Sequence, residues 1–497
     1  MAYRYRLSGR LGFGADFSRK DRRRRIYRLG ILTKVFAFWM LTGHALAQIT
    51  WGAAGDAWVN APEYENFHVV VPTDASGSTL DAAADFCRIW KTSTRHEIDF
   101  DNTASGRINV WIGTDHLPGD LASQLDGTLQ EEDQCYLKTY TPPARYAARG
   151  AAKQLMLAGE GELLRLGVRT FFREILGVTW AAPGVTAHPR AGYTIPPISL
   201  RIHPAFRVRE VDPRLYTLPG VDADQVREFR LGVGLSAKPM PVPPDPLSVP
   251  IKSDAGDSPR PVWGSPEAAA ALADRITALV QDPEGSARYQ WPPGEGDWSL
   301  GLLQPDFTLP AGQNDGPPPF ADLLIKTACE TARLLEQRLA TEPWRIRIEL
   351  PEGITAAAIP AETACARRLV VQLTPTHLDF FRDLNDRSAQ ANRRFRADLK
   401  AWRTAGIRVH VMLPLSGRAH PESLFPVFRA LGGMMMALHE ESVEGVYLGY
   451  QWLEESGGSP SLGPWRAFLA ALLAFDCGLD PQVLSRRFCV AYYGETA

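Results

Sequence analysis

Positive charge is not in surplus: 54 Lys and Arg stand against 56 Asp and Glu, for a formal net charge of −2 over 497 residues. A chain that grips nucleic acid through its phosphates needs a basic excess, so no nucleic-acid partner is expected. Cysteine is scarce, and none of the six is at the Cys-x-x-Cys spacing of a structural zinc site. There is no Gly-rich phosphate loop, no HExxH pair on a helix and no GxSxG nucleophile turn. Gly12-Phe13-Gly14 falls in the N-terminal leader, and Met434-Met435-Met436 reads as helix packing rather than a ligand set. No cofactor and no metal is therefore expected. Beyond residue 47 no apolar run is long enough to span a bilayer.

What is present is ordinary globular material, 45% apolar and 22% charged, long enough for two or three domains. The N-terminus is the exception. Arg19-Lys20-Asp21-Arg22-Arg23-Arg24-Arg25 precedes the apolar stretch LGILTKVFAFWMLTGHALA, residues 29–47, which ends in Ala45-Leu46-Ala47. A basic region, an apolar core and small residues before the cut make a secretory signal with cleavage after Ala47. The alternative is a membrane anchor, against which Lys34 and His44 interrupt the run. The basic region is unusually long, which leaves a start downstream of Met1 as one reading. The expected location is secreted or periplasmic, with no stable membrane span after cleavage. All six cysteines (Cys87, Cys135, Cys329, Cys365, Cys477, Cys489) follow the cut. An exported chain permits disulfides between them; buried free thiols are the other reading.

Along the mature chain, Phe67–Pro72 is a short β-branched strand and residues 79–93 carry apolar residues at helical spacing. Residues 107–113 and 154–159 are two further strands, each ending in glycine. Gly159 and Gly161 turn the chain into a helix with the stripe Leu163, Leu166, Val168, Phe171, Phe172, Ile175 and Leu176. Gly177 caps that helix. Val178-Thr179-Trp180 is a short strand and Pro183-Gly184 a turn. This is a small α/β layer ending near Pro197. A strand at 202–210 opens the second half, and a loop with six prolines follows at 239–250. Helices at 265–280, 320–340, 392–405 and 425–438 then alternate with strands at 298–306, 344–350, 368–373, 407–413 and 443–449. That alternation predicts an α/β fold class: a small α+β N-terminal accessory domain and then a (β/α)8 TIM-like barrel.

The segments HVVVPTDAS, VWIG and LAGEGE…GVRTFFREILGVTWAAPG resemble the N-terminal domains of α-glucuronidases and β-hexosaminidases. They are most similar to a family of secreted, glycosidase-like bacterial proteins, the domain of unknown function numbered 4838, although Thr179 stands where that family usually has arginine. FRADLKAWRTAGIRVHVMLPL and LDPQVLSRRFCVAYYG continue the resemblance to Gly494. It implies three parts: signal peptide and presequence at 1–47, an accessory domain at 48–200, and a TIM-like barrel at 201–497. Relatives carry further helices after the last element, so it also implies C-terminal truncation. The implied activity is glycoside hydrolysis of poly- or oligosaccharides, with carbohydrate as partner. A non-catalytic carbohydrate-binding or surface protein on a degenerate barrel is the alternative.

A barrel enzyme works at the C-terminal ends of its strands, and a glycosidase needs two carboxyl groups there. Strand-exit carboxylates are Asp306, Glu349, Glu352, Asp379, Asp383, Glu454 and Glu455. Asp306 is the first choice as catalytic residue, because relatives end this strand in a Gln-Asn-Asp-Gly-like turn where Gln304-Pro305-Asp306 stands. A literal Gln313-Asn314-Asp315-Gly316 follows, and would move the role to Asp315. Relatives often place Cys-x-x-Cys-like cysteines after this turn, and this chain has none. Glu454 and Glu455 are the expected catalytic partners, although relatives carry a Glu-Gly nearer the strand end, at Gly449-Tyr450. Aromatic faces stack on pyranose rings, so Trp298, Gln304, Tyr450 and Trp452 are the expected substrate contacts. The bland alternatives are a turn-capping aspartate at Asp306 and a solvated acidic loop at 454–455. His410, between Val409 and Val411, reads as a core or barrel-wall residue.

Overall fold

The computed structural model describes residues 57–104, 107–114, 117, 134–141, 152–188, 194–217, 219–236, 266–281, 299–302, 319–339, 345–351, 367–375, 378–415, 427–449 and 462–494. The presequence at 1–47 lies outside them. The first sheet collects β1 (Phe67–Val70), β2 (Phe100–Asp101), β3 (Ile108–Ile112), β4 (Cys135–Tyr140) and β5 (Lys153–Ala158). Its order is β2-β1-β3-β5-β4, closed at the edge by a strand at Ser199–Ile202. The strands from β2 to β5 are parallel, while β4 runs antiparallel to both of its neighbours.

Two helices cover one face of this sheet. The first, α1 (Gly77–Thr94), starts where the Ser76 hydroxyl accepts the Thr79 amide, an N-cap that satisfies an otherwise orphaned donor. The second, α2 (Gly161–Thr170), passes into a π-helical turn at Phe171–Ile175. Phe86 and Trp90 of α1 stack there, and Phe86 also meets Phe171 and Phe172. Gly167 lets α2 approach β4, since a Cβ there would overlap the Cys135 sulfur. Gly177 ends the helical run at φ +74°, as the sequence suggests. The strand that follows does not join the first sheet. Instead β6 (Thr179–Ala182) and β7 (Val185–Ala187) form a separate hairpin. It docks on helices of the second half, where Arg487 donates to the Thr179 hydroxyl at 2.8 Å. The first sheet likewise runs past Pro197: its edge strand β8 is Ser199–Ile202, with Ile202 opposite Cys135.

The second sheet begins with β9 (Val208–Val211). Helix α3 (Ala223–Gly232) follows, opened by a capping box between Asp222 and Gln225. Then come α4 (Pro266–Gln281), β10 (Ser299–Leu302), α5 (Pro319–Arg338), β11 (Arg345–Pro351), β12 (Leu369–Thr374), α6 (Gln390–Thr404), β13 (Arg408–Pro414), α7 (Val427–Glu440), β14 (Gly445–Gly449), α8 (Gly463–Phe475) and α9 (Pro481–Tyr493). The strand order is β10-β11-β12-β13-β14-β9, every pair parallel. The first strand in the chain thus lies beside the last.

Alternate residues of the strands join one core with the helices. Ile346, Ile348 and Leu350, Leu369, Val371 and Leu373, and Val409, Val411 and Leu413 pack with Leu335, Leu399, Met434 and Leu469. A parallel sheet wound on both sides would bury apolar residues on both faces. Here the second face is polar. No described helix is long and apolar enough to cross a membrane. Cys87, Cys135, Cys477 and Cys489 are free thiols, and Cys329 is disulfide-bonded.

Candidate functional site

Successive side chains of a strand point to opposite faces. With Ile346, Ile348, Val409 and Val411 committed to the helices, Arg347, Gln372, His410, Tyr447 and Glu210 share the other face. Register groups them in layers across the sheet. One layer runs Gln372, His410, Gly445 and Val208; the next holds Met412, Tyr447 and Glu210.

At the N-terminal edge the face is closed by a clamp on Glu444. Its Oε1 accepts from Arg408 at 2.7 Å and from Arg345 at 3.2 Å, and pairs with Arg207 at 3.5 Å. His410 sits above the clamp, buried, and its Nε2 has no hydrogen-bond partner among the described residues. Burial, reinforced by Arg347, Arg345, Arg408 and Arg207, pushes its pKa down to about 3. The ring is therefore neutral at physiological pH and stands as part of the wall.

Toward the C-terminal edge two carboxylates line the same face. Glu210 is fully buried and is gripped by Arg230 of α3, Nη1 donating to Oε1 at 2.6 Å and Nη2 to Oε2 at 2.8 Å. Arg230 also donates to the Tyr216 hydroxyl at 2.6 Å and to the Ser236 carbonyl at 2.8 Å. Burial pushes the Tyr216 hydroxyl up to about 12. Asp212 caps a 3-10 turn by accepting the Arg214 amide at 2.9 Å, and the Arg214 guanidinium grips both of its oxygens at 2.6–3.0 Å. Between them lies Tyr447, half-buried, its hydroxyl making no hydrogen bond among the described residues. Burial, then the charges of Asp212 and Glu210, raise its pKa above the usual phenol range.

A general acid needs a carboxyl held neutral, and a general base or nucleophile needs one that is free to act. Bidentate arginine pairing occupies a carboxylate. Glu210 and Asp212 are thus anchors, and Tyr447 offers an open hydroxyl on this face among the described residues. Among the described residues no group of three or more His, Cys, Asp or Glu could hold a metal ion.

The residues chosen from sequence as catalytic (Asp306, Glu454, Glu455) and as substrate contacts (Trp298, Gln304, Tyr450, Trp452) all lie outside the described residues. So do Asp315 and Glu352. The strands that lead to them are described: β10 ends at Leu302 and β14 at Gly449, and because the sheet is parallel both end at the same edge. The backbone of Glu349 pairs with Gln372. Asp379 and Asp383 are turn residues, accepting the amides of Phe381 at 3.1 Å and Asn385 at 2.9 Å. Sequence reasoning passed over Glu210, Asp212, Arg230 and Tyr447. The alternation in VREVD and GVYLG was the available signal.

No protein-family model matches the chain, and no curated protein matches it. Solved structures that it resembles include a family GH115 4-O-methyl-α-glucuronidase with specificity for decorated arabinogalactans, at 11% identity and a TM-score of 0.46, over 86% of this chain and 61% of that one. A GH138 enzyme targeting pectin rhamnogalacturonan II matches at 9% identity and 0.38, over 83% and 51%. A β-hexosaminidase of Streptomyces plicatus matches at 12% identity and 0.39, over 86% and 90%. The chain thus spans 61% and 51% of the first two neighbours.

Proposed function

We propose that the chain is an exported glycoside hydrolase that cleaves poly- or oligosaccharides with paired carboxylates, in the manner of an α-glucuronidase and without a metal. Residues 1–47 are its signal and presequence, 48–200 its accessory domain and 201–497 a (β/α)8 barrel. Asp306 acts with Glu454 or Glu455, and Trp298, Gln304, Tyr450 and Trp452 hold the sugar. The observation that carries this reading is the order of the second sheet. An open sheet would need a connection from β9 across four strands to β10. In a ring the two are near neighbours, the helices lie outside and the polar face lies inside. The exits of β10 and β14 then share one mouth, and those exits lead to Asp306 and to Glu454 and Glu455. The disulfide at Cys329 suits an oxidising compartment.

A non-catalytic carbohydrate-binding barrel is the second reading. What favours it is that Glu210 and Asp212 are both consumed by arginines. The test is reducing-sugar release by residues 48–497 from plant and algal polysaccharides and glucuronide-bearing oligosaccharides, with Asp306→Asn alongside. Release that disappears in the variant supports hydrolysis at Asp306. Release that persists moves the site, and no release from folded protein favours the binding barrel.

A further inference from the structure

The segment between β12 and α6 is unusually well pinned for a surface connection. Asn392 is buried; its Oδ1 accepts the Asp379 amide at 2.9 Å, and its Nδ2 donates to the carbonyls of Asp379 (3.1 Å), Arg382 (3.3 Å) and Asp383 (3.2 Å). Asp379, Asp383 and Asp386 each accept the amide two residues on, at 3.1, 2.9 and 2.8 Å. Three Asx-turns in a row fix the backbone locally. The fixed segment buries Phe380 but leaves Phe381 71% exposed.

The same segment leads Asn385 and Arg387 against α6. With Arg393, Arg396 and Lys400 of that helix, and Glu441 at one side, they line a groove of about 350 Å³. Arg396 is engaged, donating to Glu441 at 2.6 Å. Arg387, Arg393 and Lys400 are exposed, and their side chains make no ion pair or hydrogen bond among the described residues. Three cations are thus left over on a preformed concave surface.

We propose that this groove binds an acidic polysaccharide, with uronate carboxylates pairing to Arg387, Arg393 and Lys400. The choice of a glycan rests on the glycosidase reading. The arginine fork matches carboxylate geometry. A concave groove suits a discrete sugar residue better than a flat lipid surface. Glu440 and Glu441 beside Arg396 work against a continuous polyphosphate. Such a site holds polymer on the enzyme between cleavage events.

The test is affinity electrophoresis of residues 48–497 through polygalacturonate, with neutral dextran as control. Retardation by polygalacturonate alone, fading as salt screens exposed charges, is expected. Replacing all three cations (Arg387→Ala, Arg393→Ala, Lys400→Ala) should weaken binding about tenfold or more with the melting temperature unchanged. Asp306→Asn should bind as wild type whether or not sugar release is seen, so failure of hydrolysis leaves this result standing. Equal retardation by dextran, wild-type binding in the triple variant, or tighter binding to phosphatidylglycerol vesicles or single-stranded DNA would each overturn the proposal.

Discussion

If Glu210 is an anchor rather than a catalyst, replacing it must cost stability before it costs chemistry. Both partners of the Glu210–Arg230 pair are fully buried. Removing one charge strands the other in a low-dielectric site, which costs about 3–5 kcal/mol in comparable buried pairs. Glu210→Gln keeps the shape and one acceptor, so it belongs at the lower end, about 3 kcal/mol. That translates into a melting temperature lower by roughly 5–10 °C. Removing both charges together, as Glu210→Leu with Arg230→Met, takes away the stranded guanidinium and should recover most of the loss. The assay is a thermal melt of the wild type, both single variants and the double variant, with sugar release measured well below the lowest midpoint. Activity per folded molecule should be close to wild type in Glu210→Gln. An unshifted midpoint with activity abolished would refute the anchor reading and make Glu210 one of the reacting carboxylates.

Two further outcomes follow from the same packing. His410 titrates at about 3 when folded and near its ordinary value of about 6.5 when unfolded, so its contribution is whole above 6.5 and is lost as pH falls below it, by up to about 1.4 kcal/mol per unit. Melting temperatures between pH 7 and 4.5 should therefore fall less steeply in His410→Gln than in wild type; equal slopes would remove the histidine from the acid response. Gly232 closes α3 against the Trp180 ring, which a Cβ would overlap. Gly232→Ala should lose about 1–3 kcal/mol to overpacking, more than the roughly 1 kcal/mol that helix propensity returns, and should shift the tryptophan near-UV dichroism; a stabilised variant would show that the ring moves aside freely.

Much of the element order is legible because the outward residues obey simple periods. RIRIEL, LVVQLT and RVHVML each place aliphatic residues two apart, and α1 and α6 carry their stripes and stops openly. What escapes is whatever depends on a distant partner. CYLKTY and SLRI become strands by pairing with β5 and with each other, and nothing local marks them. The stripe from Leu163 to Leu176 reads as one helix, yet five of its residues wind as a π turn that turns both Phe171 and Phe172 into the core. The hairpin after Gly177 looks like the last strand of its own sheet until the helices that receive it are in view.

The harder failure concerns the candidate site, and its cause is physical. Period two in a strand announces two faces and does not say which one is covered. The habitual reading puts polar residues in water, so Arg347 and Glu210 pass for surface. Here the aliphatic face packs with the described helices, and the polar residues gather on the other face. Buried polar groups need partners, and on this face arginines supply many of them, Arg230 on Glu210, Arg214 on Asp212 and a triplet on Glu444, while the His410 Nε2 makes no hydrogen bond among the described residues. Those pairs occupy the strand carboxylates that sequence reasoning would most want free. A face that neutralises its own charges is a rigid floor. The proposed reactivity stands on the loops beyond the strands, with Tyr447 an open hydroxyl among the described residues of the floor, so the exits of β10 and β14 are the place to cut first.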